Sequence, residues 1–245
     1  MQLKPIVFCD FDGTITETDV TDQILSELAE PAWREIEQRW VRGEIGSREC
    51  LERQMALVRA SARELNTLID AVPLAPGFAD FCRFAEARAL PFYVLSEGFD
   101  YVIRRVLKRA GVEGRLRNGR HLFSSELRVE DGGLLTAFPH PVAGCEHGCA
   151  TCKAGIMKRL GRGHAPIVFI GDGLSDRYAV EAADLVFAKH ELLKYCLARG
   201  IAFEPFRTFA DIQRRLERLL DAGAARPQRA RKSKVQSRNT AVGVP

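Results

Sequence analysis

No apolar run in the 245 residues approaches the roughly 18 that a membrane-spanning helix requires. The opening stretch from Met1 to Asp10 turns acidic after a few apolar residues and has no signal-peptide core, so the expected compartment is the cytoplasm. The even cysteine count of a disulfide framework is also missing: there are seven cysteines, which suits a reducing environment. A concentrated basic face is lacking as well. Six basic residues and no acidic ones lie in 222–245, so setting that tail aside turns the net charge of +4 into −2 for the body. A slightly acidic body argues against nucleic acid as a partner, because phosphate neutralisation needs clustered positive charge. Apolar residues at 46% and charged residues at 28% exclude wholesale disorder and fibrous repeats, and no internal repeat is visible.

What is present is a set of short, continuous apolar runs, each ending in polar or glycine residues. Pro5 to Cys9 runs into Asp10-Phe11-Asp12-Gly13-Thr14, Pro91 to Leu95 into Ser96-Glu97-Gly98, and Pro166 to Ile170 into Gly171-Asp172-Gly173. Such runs suit strands buried on both faces of a parallel sheet, whose carboxyl ends form the ligand crevice. Leu185 to Ala188 reads as a further strand, and Glu126 to Phe138 as a hairpin turning at Asp131-Gly132-Gly133.

Between the first two strands, residues 16–72 carry helical periodicity. Asp22 and Ser47 are candidate caps there, and Pro31 opens a helix holding Trp33 and Trp40. Helices are expected after Gly98 to Ala110, over Ala150–Leu160 and Asp176–Ala183, and from a Thr208 cap through Leu220. The predicted fold is α/β: a doubly wound, Rossmann-like parallel sheet with an inserted helical cap. The expected core is 1–15 and 76–221, the cap 16–75, and the disordered basic tail 222–245.

The strand ends carry the chemistry. Asp10 and Asp12 can face one site only if the chain curls directly after Asp10, which Gly13 permits. Carboxylates brought together repel unless a cation joins them, and Asp172 adds a third from another strand. All-oxygen donors of this kind select Mg²⁺. A carboxylate beside such an ion can attack phosphorus. A second can protonate the leaving oxygen, provided its pKa rises from about 3.9. Ser96 offers a hydroxyl and Lys153 a charge to the phosphate oxygens.

Taken in order, Asp10-Phe11-Asp12-Gly13-Thr14, Ser96, Lys153 and Gly171-Asp172-Gly173-Leu174-Ser175-Asp176 resemble the four motifs of the haloacid dehalogenase-like (HAD) phosphatases. The resemblance spans Ile6 to Leu220. It implies Asp10 as a nucleophile forming an aspartyl-phosphate and Asp12 as acid and base. It further implies Mg²⁺ held by Asp10, the Asp12 backbone carbonyl and Asp172, with Asp176 supporting the metal shell and Thr14 binding the phosphate region. Within the family the chain is most similar to the methionine-salvage branch, through Phe8 to Thr16, Glu30 to Trp33, Pro91 to Ser96, Cys145 to Lys153 and Ala183 to Ala188. The phosphoserine branch is the nearest competitor. Asp19 and Gln54 stand where its cap has a glutamate and an arginine, so the guanidinium that would clamp a substrate carboxylate is lost. Glu97 departs from both branches, which usually have glycine there. A carboxylate at that position repels an anionic substrate unless it points away or grips a donor.

The expected activity is therefore Mg²⁺-dependent hydrolysis of a small phosphorylated metabolite, best the methionine-salvage enol phosphate. The alternatives are another small phosphomonoester such as phosphoserine, or a non-catalytic phosphometabolite binder. Cys145, Cys149 and Cys152 with His147 form a soft-ligand cluster for which zinc, reversible disulfide chemistry and reduced loop thiols all stand open. Cys9, Cys50, Cys82 and Cys196 fall in apolar patterns and are expected in the core.

Overall fold

The computed structural model describes residues 4–115, 121–130 and 133–224. Among these, β1 (Ile6–Cys9), β2 (Phe92–Phe99), β3 (Leu122–Glu130), β4 (Gly133–Ala137), β5 (Ile167–Gly171), β6 (Leu185–Ala188) and β7 (Glu204–Pro205) form one sheet. Its order is β4-β3-β2-β1-β5-β6-β7, parallel except where β4 returns antiparallel to β3. The order reverses at β1, so the crevice between β1 and its neighbours β2 and β5 lies at the topological switch point.

Alternation along β1 shows why the sheet is doubly wound. Val7 and Cys9 enter one apolar layer with Phe78 and Phe81 of α5 (Phe78–Ala87), Ile103 of α6 (Asp100–Arg109) and Ile212 of α9 (Phe209–Ala224). Ile6 and Phe8 enter the opposite layer with Ile156 and Met157 of α7 (Lys153–Leu160) and Leu192 of α8 (His190–Arg199). Each such side chain contributes roughly 1.5–3 kcal/mol on burial, so β1 is a rigid base for Asp10, the next residue. The four core cysteines expected from the sequence are all buried.

Between β1 and α5 lie α1 (Val20–Leu28), α2 (Trp33–Val41), α3 (Ser47–Met55) and α4 (Ala62–Ala71). The chain enters and leaves this helical segment side by side. Thr16 bridges Leu74, the Glu17 amide donates to the Pro73 carbonyl at 3.1 Å, and the Ala75 amide donates to that of Ile15 at 2.8 Å. The residues α1 and α4 bury, including Ile24, Leu25, Leu65 and Ile69, join the same layer as Val7 and Cys9.

Several sequence expectations need correction. Asp19, not Asp22, caps α1, accepting the Asp22 amide at 2.9 Å. Gly46 occupies the cap position of α3, and Ser47 lies inside the helix with its hydroxyl turned to another use. The strand expected to stop at Leu95 runs to Phe99, with an irregular register against β3 between Leu95 and Phe99. The helix expected over Asp176–Ala183 is two 3-10 turns, Leu174–Asp176 and Val180–Ala182. The helix expected from Ala150 starts at Lys153. The final helix continues to Ala224, three residues into the segment expected as tail. Residues 225–245 and the hairpin positions Asp131 and Gly132 lie outside the described residues.

Candidate active site

Asp10 leaves β1 as a buried carboxylate. Its Oδ1 accepts the Phe11 amide at 2.7 Å and lies 2.8 Å from Lys153 Nζ. Lys153, the first residue of α7, is itself buried and places the same ammonium 2.6 Å from Asp176 Oδ1. The other Asp176 oxygen accepts the amides of Asp172 and Gly173 at 3.1 and 3.3 Å. Both oxygens of Asp176 are thus occupied, and its carboxylate fixes the loop after β5 instead of standing free as a ligand.

Asp172 sits on that loop, with its Oδ1 accepting the Thr14 hydroxyl at 2.6 Å and its Oδ2 3.5 Å from His190 Nδ1. Thr14 is fully buried and gives its one hydroxyl proton to Asp172. The residue expected to bind phosphate therefore holds a carboxylate in place. Gly13 makes that approach possible: its φ is +66°, and a Cβ there would lie 2.3 Å from Asp172 Oδ2.

The chain does curl after Asp10, and Asp12 Oδ1 accepts the Val20 amide at the start of α1, 3.0 Å away. Asp12 Oδ2 lies where a Cβ on Gly98 would meet it at 2.4 Å, which brings the ends of β1 and β2 together. Ser96 is buried and its Oγ accepts the Gly98 amide at 2.9 Å, leaving its own proton to donate. Asp10, Asp12, Ser96 and Asp172 all border one cavity of about 750 Å³.

The electrostatics of this cavity are unbalanced. Oxygens of Asp10, Asp172 and Asp176 lie within 4.8 Å of one another, and one buried ammonium bridges Asp10 and Asp176. Burial and the neighbouring Asp176 charge push the Asp10 carboxyl well above its ordinary value, although Lys153 pulls the other way. Burial raises Asp172 too, with Asp176 adding to the effect. Burial alone would lower Lys153, but Asp10, Asp176 and Glu97 outweigh it and raise its pKa, so it remains a cation. A cluster of hard oxygens with more negative charge than its lysine can offset is suited to a divalent cation such as Mg²⁺. Asp10 and Asp172 are the members with capacity to bind one. Burial also pushes Asp12 up to about 6, despite the Val20 amide, the direction that a proton donor requires.

Three features of the cavity concern residues that the sequence singles out but whose contacts only the fold decides. Trp40 of α2 forms part of its wall, with the Arg177 guanidinium 5.4 Å over its ring, while Trp33 is buried in the core. Gln54 of α3 is tied to Glu37 by a 2.9 Å hydrogen bond, and no guanidinium lines the cavity among the described residues. Glu97 turns to α3, where its Oε1 accepts the Ser47 hydroxyl at 2.8 Å, and Ser47 Oγ in turn accepts the Ala150 amide at 3.0 Å. No local pattern marks the Ser47, Glu97 and Ala150 connection, because its members come from three distant segments.

Burial pushes Glu97 up to about 7, against the lowering influence of Lys153 and Ser47. The folded chain therefore holds a proton on Glu97 that the unfolded chain, with its ordinary value of 4.5, has already released. The stability this confers is complete below about pH 4.5 and lost as pH rises through about 7. Glu97→Gln is expected to flatten the decline in melting temperature over that window. Parallel slopes for variant and parent in thermal melts across it would contradict the assignment.

Comparison with known proteins adds four findings. Residues 7–181 match the haloacid dehalogenase-like hydrolase family. The chain is 30% identical over 222 residues to a 2-hydroxy-3-keto-5-methylthiopentenyl-1-phosphate phosphatase of Geobacillus thermodenitrificans, covering 89% of this chain and 98% of that one. It is 31% identical over 218 residues to the Bacillus cereus protein of the same name, covering 88% and 97%. Among solved structures, a substrate-bound phosphoserine phosphatase complex superposes with a TM-score of 0.65 at 19% identity, covering 88% of this chain and 99% of the other. That last likeness shows a shared fold.

Proposed function

From the premise that the chain belongs to the haloacid dehalogenase-like hydrolases, we propose that it is a phosphomonoesterase working through Asp10, on a small phosphorylated metabolite of methionine salvage. The observation that carries this reading is the strand-end carboxylate of Asp10, 2.8 Å from a buried ammonium that Asp176 holds in place, on the wall of a cavity of about 750 Å³. Lys153 and the Phe11 amide both bind Oδ1, so Oδ2 is the oxygen assigned to attack phosphorus. As the Asp10 O–P bond forms, the ester P–O bond breaks, and the departing alkoxide takes the proton of Asp12. Asp12 then removes a proton from water, which attacks the aspartyl-phosphate, releases inorganic phosphate and regenerates Asp10.

Lys153 and the Ser96 hydroxyl would face the phosphate oxygens and gain strength as charge builds in the transition state. Asp10, Asp172 and the Asp12 backbone carbonyl would hold Mg²⁺, which when bound offsets phosphate charge. Thr14 and Asp176 serve this set indirectly, by fixing Asp172 and the loop that carries it. The helical segment, α1 to α4, would act as a cap over residues 76–221, hinged at the paired segments 15–17 and 73–75.

The walls support this substrate class. Trp40, Val41 and Leu51 offer apolar surface, which suits the methylthio tail of 2-hydroxy-3-keto-5-methylthiopentenyl-1-phosphate. Phosphoserine is disfavoured because its carboxylate would meet Asp19 and a Gln54 engaged by Glu37, with no guanidinium among the described residues of the wall to receive it. In a panel of phosphate esters with Mg²⁺ present, kcat/KM for the methylthio enol phosphate should exceed that for phosphoserine by at least about 100-fold. Equal efficiencies, or a preference for phosphoserine, would remove the substrate assignment. Failure to hydrolyse any ester would remove the phosphatase reading with it.

A further inference from the structure

Three thiols that the proposed reaction does not use converge beside the same cavity. The Sγ atoms of Cys145, Cys149 and Cys152 lie within 4.8 Å of one another, and none is in a disulfide. Cys145 and Cys149 are half-buried in the loop before α7, and Cys152 is the buried residue at the N-cap of that helix.

Sulfur binds a metal as the thiolate, and the charge of the ion itself favours that form. A tetrahedral zinc ion with bonds of about 2.3 Å spaces its sulfurs about 3.8 Å apart, so the thiols need to draw in by at most about 1 Å. A separate cavity of about 280 Å³ borders all three cysteines together with Glu146, His147 and Lys158.

We propose that Cys145, Cys149 and Cys152 bind one Zn²⁺ through three thiolates, with its fourth position facing the cavity that His147 lines. Each thiol releases its proton to solvent as its S–Zn bond forms. The ion would fix the loop that delivers Lys153, the next residue after Cys152. It would also fix that loop's contact with α3, where the Arg48 amide donates to the Gly148 carbonyl at 3.0 Å and the Ala150 amide to Ser47 Oγ at 3.0 Å. Gly46 and Gly148 are pressed together there, since a Cβ on Gly46 would stand 2.5 Å from the Gly148 carbonyl oxygen. The other cluster of candidate ligands, Asp10, Asp172 and Asp176, offers carboxylate oxygens, so a soft ion and Mg²⁺ would divide between the two sites by donor type. This site is independent of the phosphatase reading and is tested without an assay of turnover.

The test uses the full chain, reduced and stripped with a chelator, then titrated with Zn²⁺ in excess Mg²⁺ and separately with Co²⁺. Binding of about one zinc per chain is expected, with Cys145 and Cys149 protected from alkylation and a thiolate-to-cobalt charge-transfer band of tetrahedral type. Cys145→Ser combined with Cys149→Ser should weaken zinc binding by more than about 100-fold. Circular dichroism verifies that this variant is folded, and if it is not, the cobalt spectrum of the parent chain decides alone. The proposal is overturned by any of three results: no zinc retained by the folded, reduced parent; a cobalt spectrum typical of oxygen donors; or a disulfide among these cysteines in metal-free protein that zinc cannot protect.

Discussion

Replacing Asp10 with asparagine is expected to lower kcat for an aryl phosphate by on the order of 10⁴-fold or more, the scale on which loss of a nucleophile is felt. The amide is nearly isosteric, keeps an oxygen for the Phe11 N–H, and removes one negative charge from a cluster whose carboxyls are already raised by burial and mutual repulsion. The variant should therefore melt at or above the temperature of the parent. Loss of activity accompanied by unfolding would leave the role of Asp10 open, which is why melting is measured beside turnover. Undiminished hydrolysis in a folded variant with Mg²⁺ present would refute the aspartyl-phosphate mechanism.

Lys153→Met should do the opposite to the fold and a similar thing to the rate. The side chains are of comparable length, so packing is largely kept. Asp10 and Asp176 nevertheless lose the one ammonium that lies between them in a buried setting. Breaking a buried ion pair from one side costs about 3–5 kcal/mol, because the remaining charges are stranded. Activity should fall by about 10²–10³-fold, the usual effect of deleting one preorganised electrostatic contact to the transferring group. Chemical denaturation and steady-state kinetics check the two effects separately. Unchanged stability would mean that the ammonium is not the group balancing those carboxylates. The contrast between the two substitutions at one contact is the sharper test, since a merely structural role for both residues predicts destabilisation in each.

The strand ends were legible in the sequence because their signal is local. Four consecutive apolar residues before Asp10 must be buried on both faces, and such a strand needs parallel neighbours and helices above and below. The helices of the inserted segment were legible for the same reason, although two of their caps were misplaced. Asp19 and Asp22 are both suitable caps by residue type, and only the path from the Gly13 turn selects Asp19. The short turns at 174–176 and 180–182 were misread as a helix because apolar spacing over eight residues cannot distinguish one α-helix from two 3-10 turns.

The sequence by itself determined the order of the motifs, the alternation that builds the sheet, and the residue types able to act on phosphate, since these depend on neighbours along the chain. Tertiary structure alone decided what each side chain does with its donors and acceptors. It directs the Thr14 proton to Asp172, occupies both oxygens of Asp176, turns Glu97 to Ser47 and draws three cysteines together. The physical reason is that hydrogen bonds and ion pairs act over about 3 Å, and whether residues far apart in the chain come that close is set by how the layers pack.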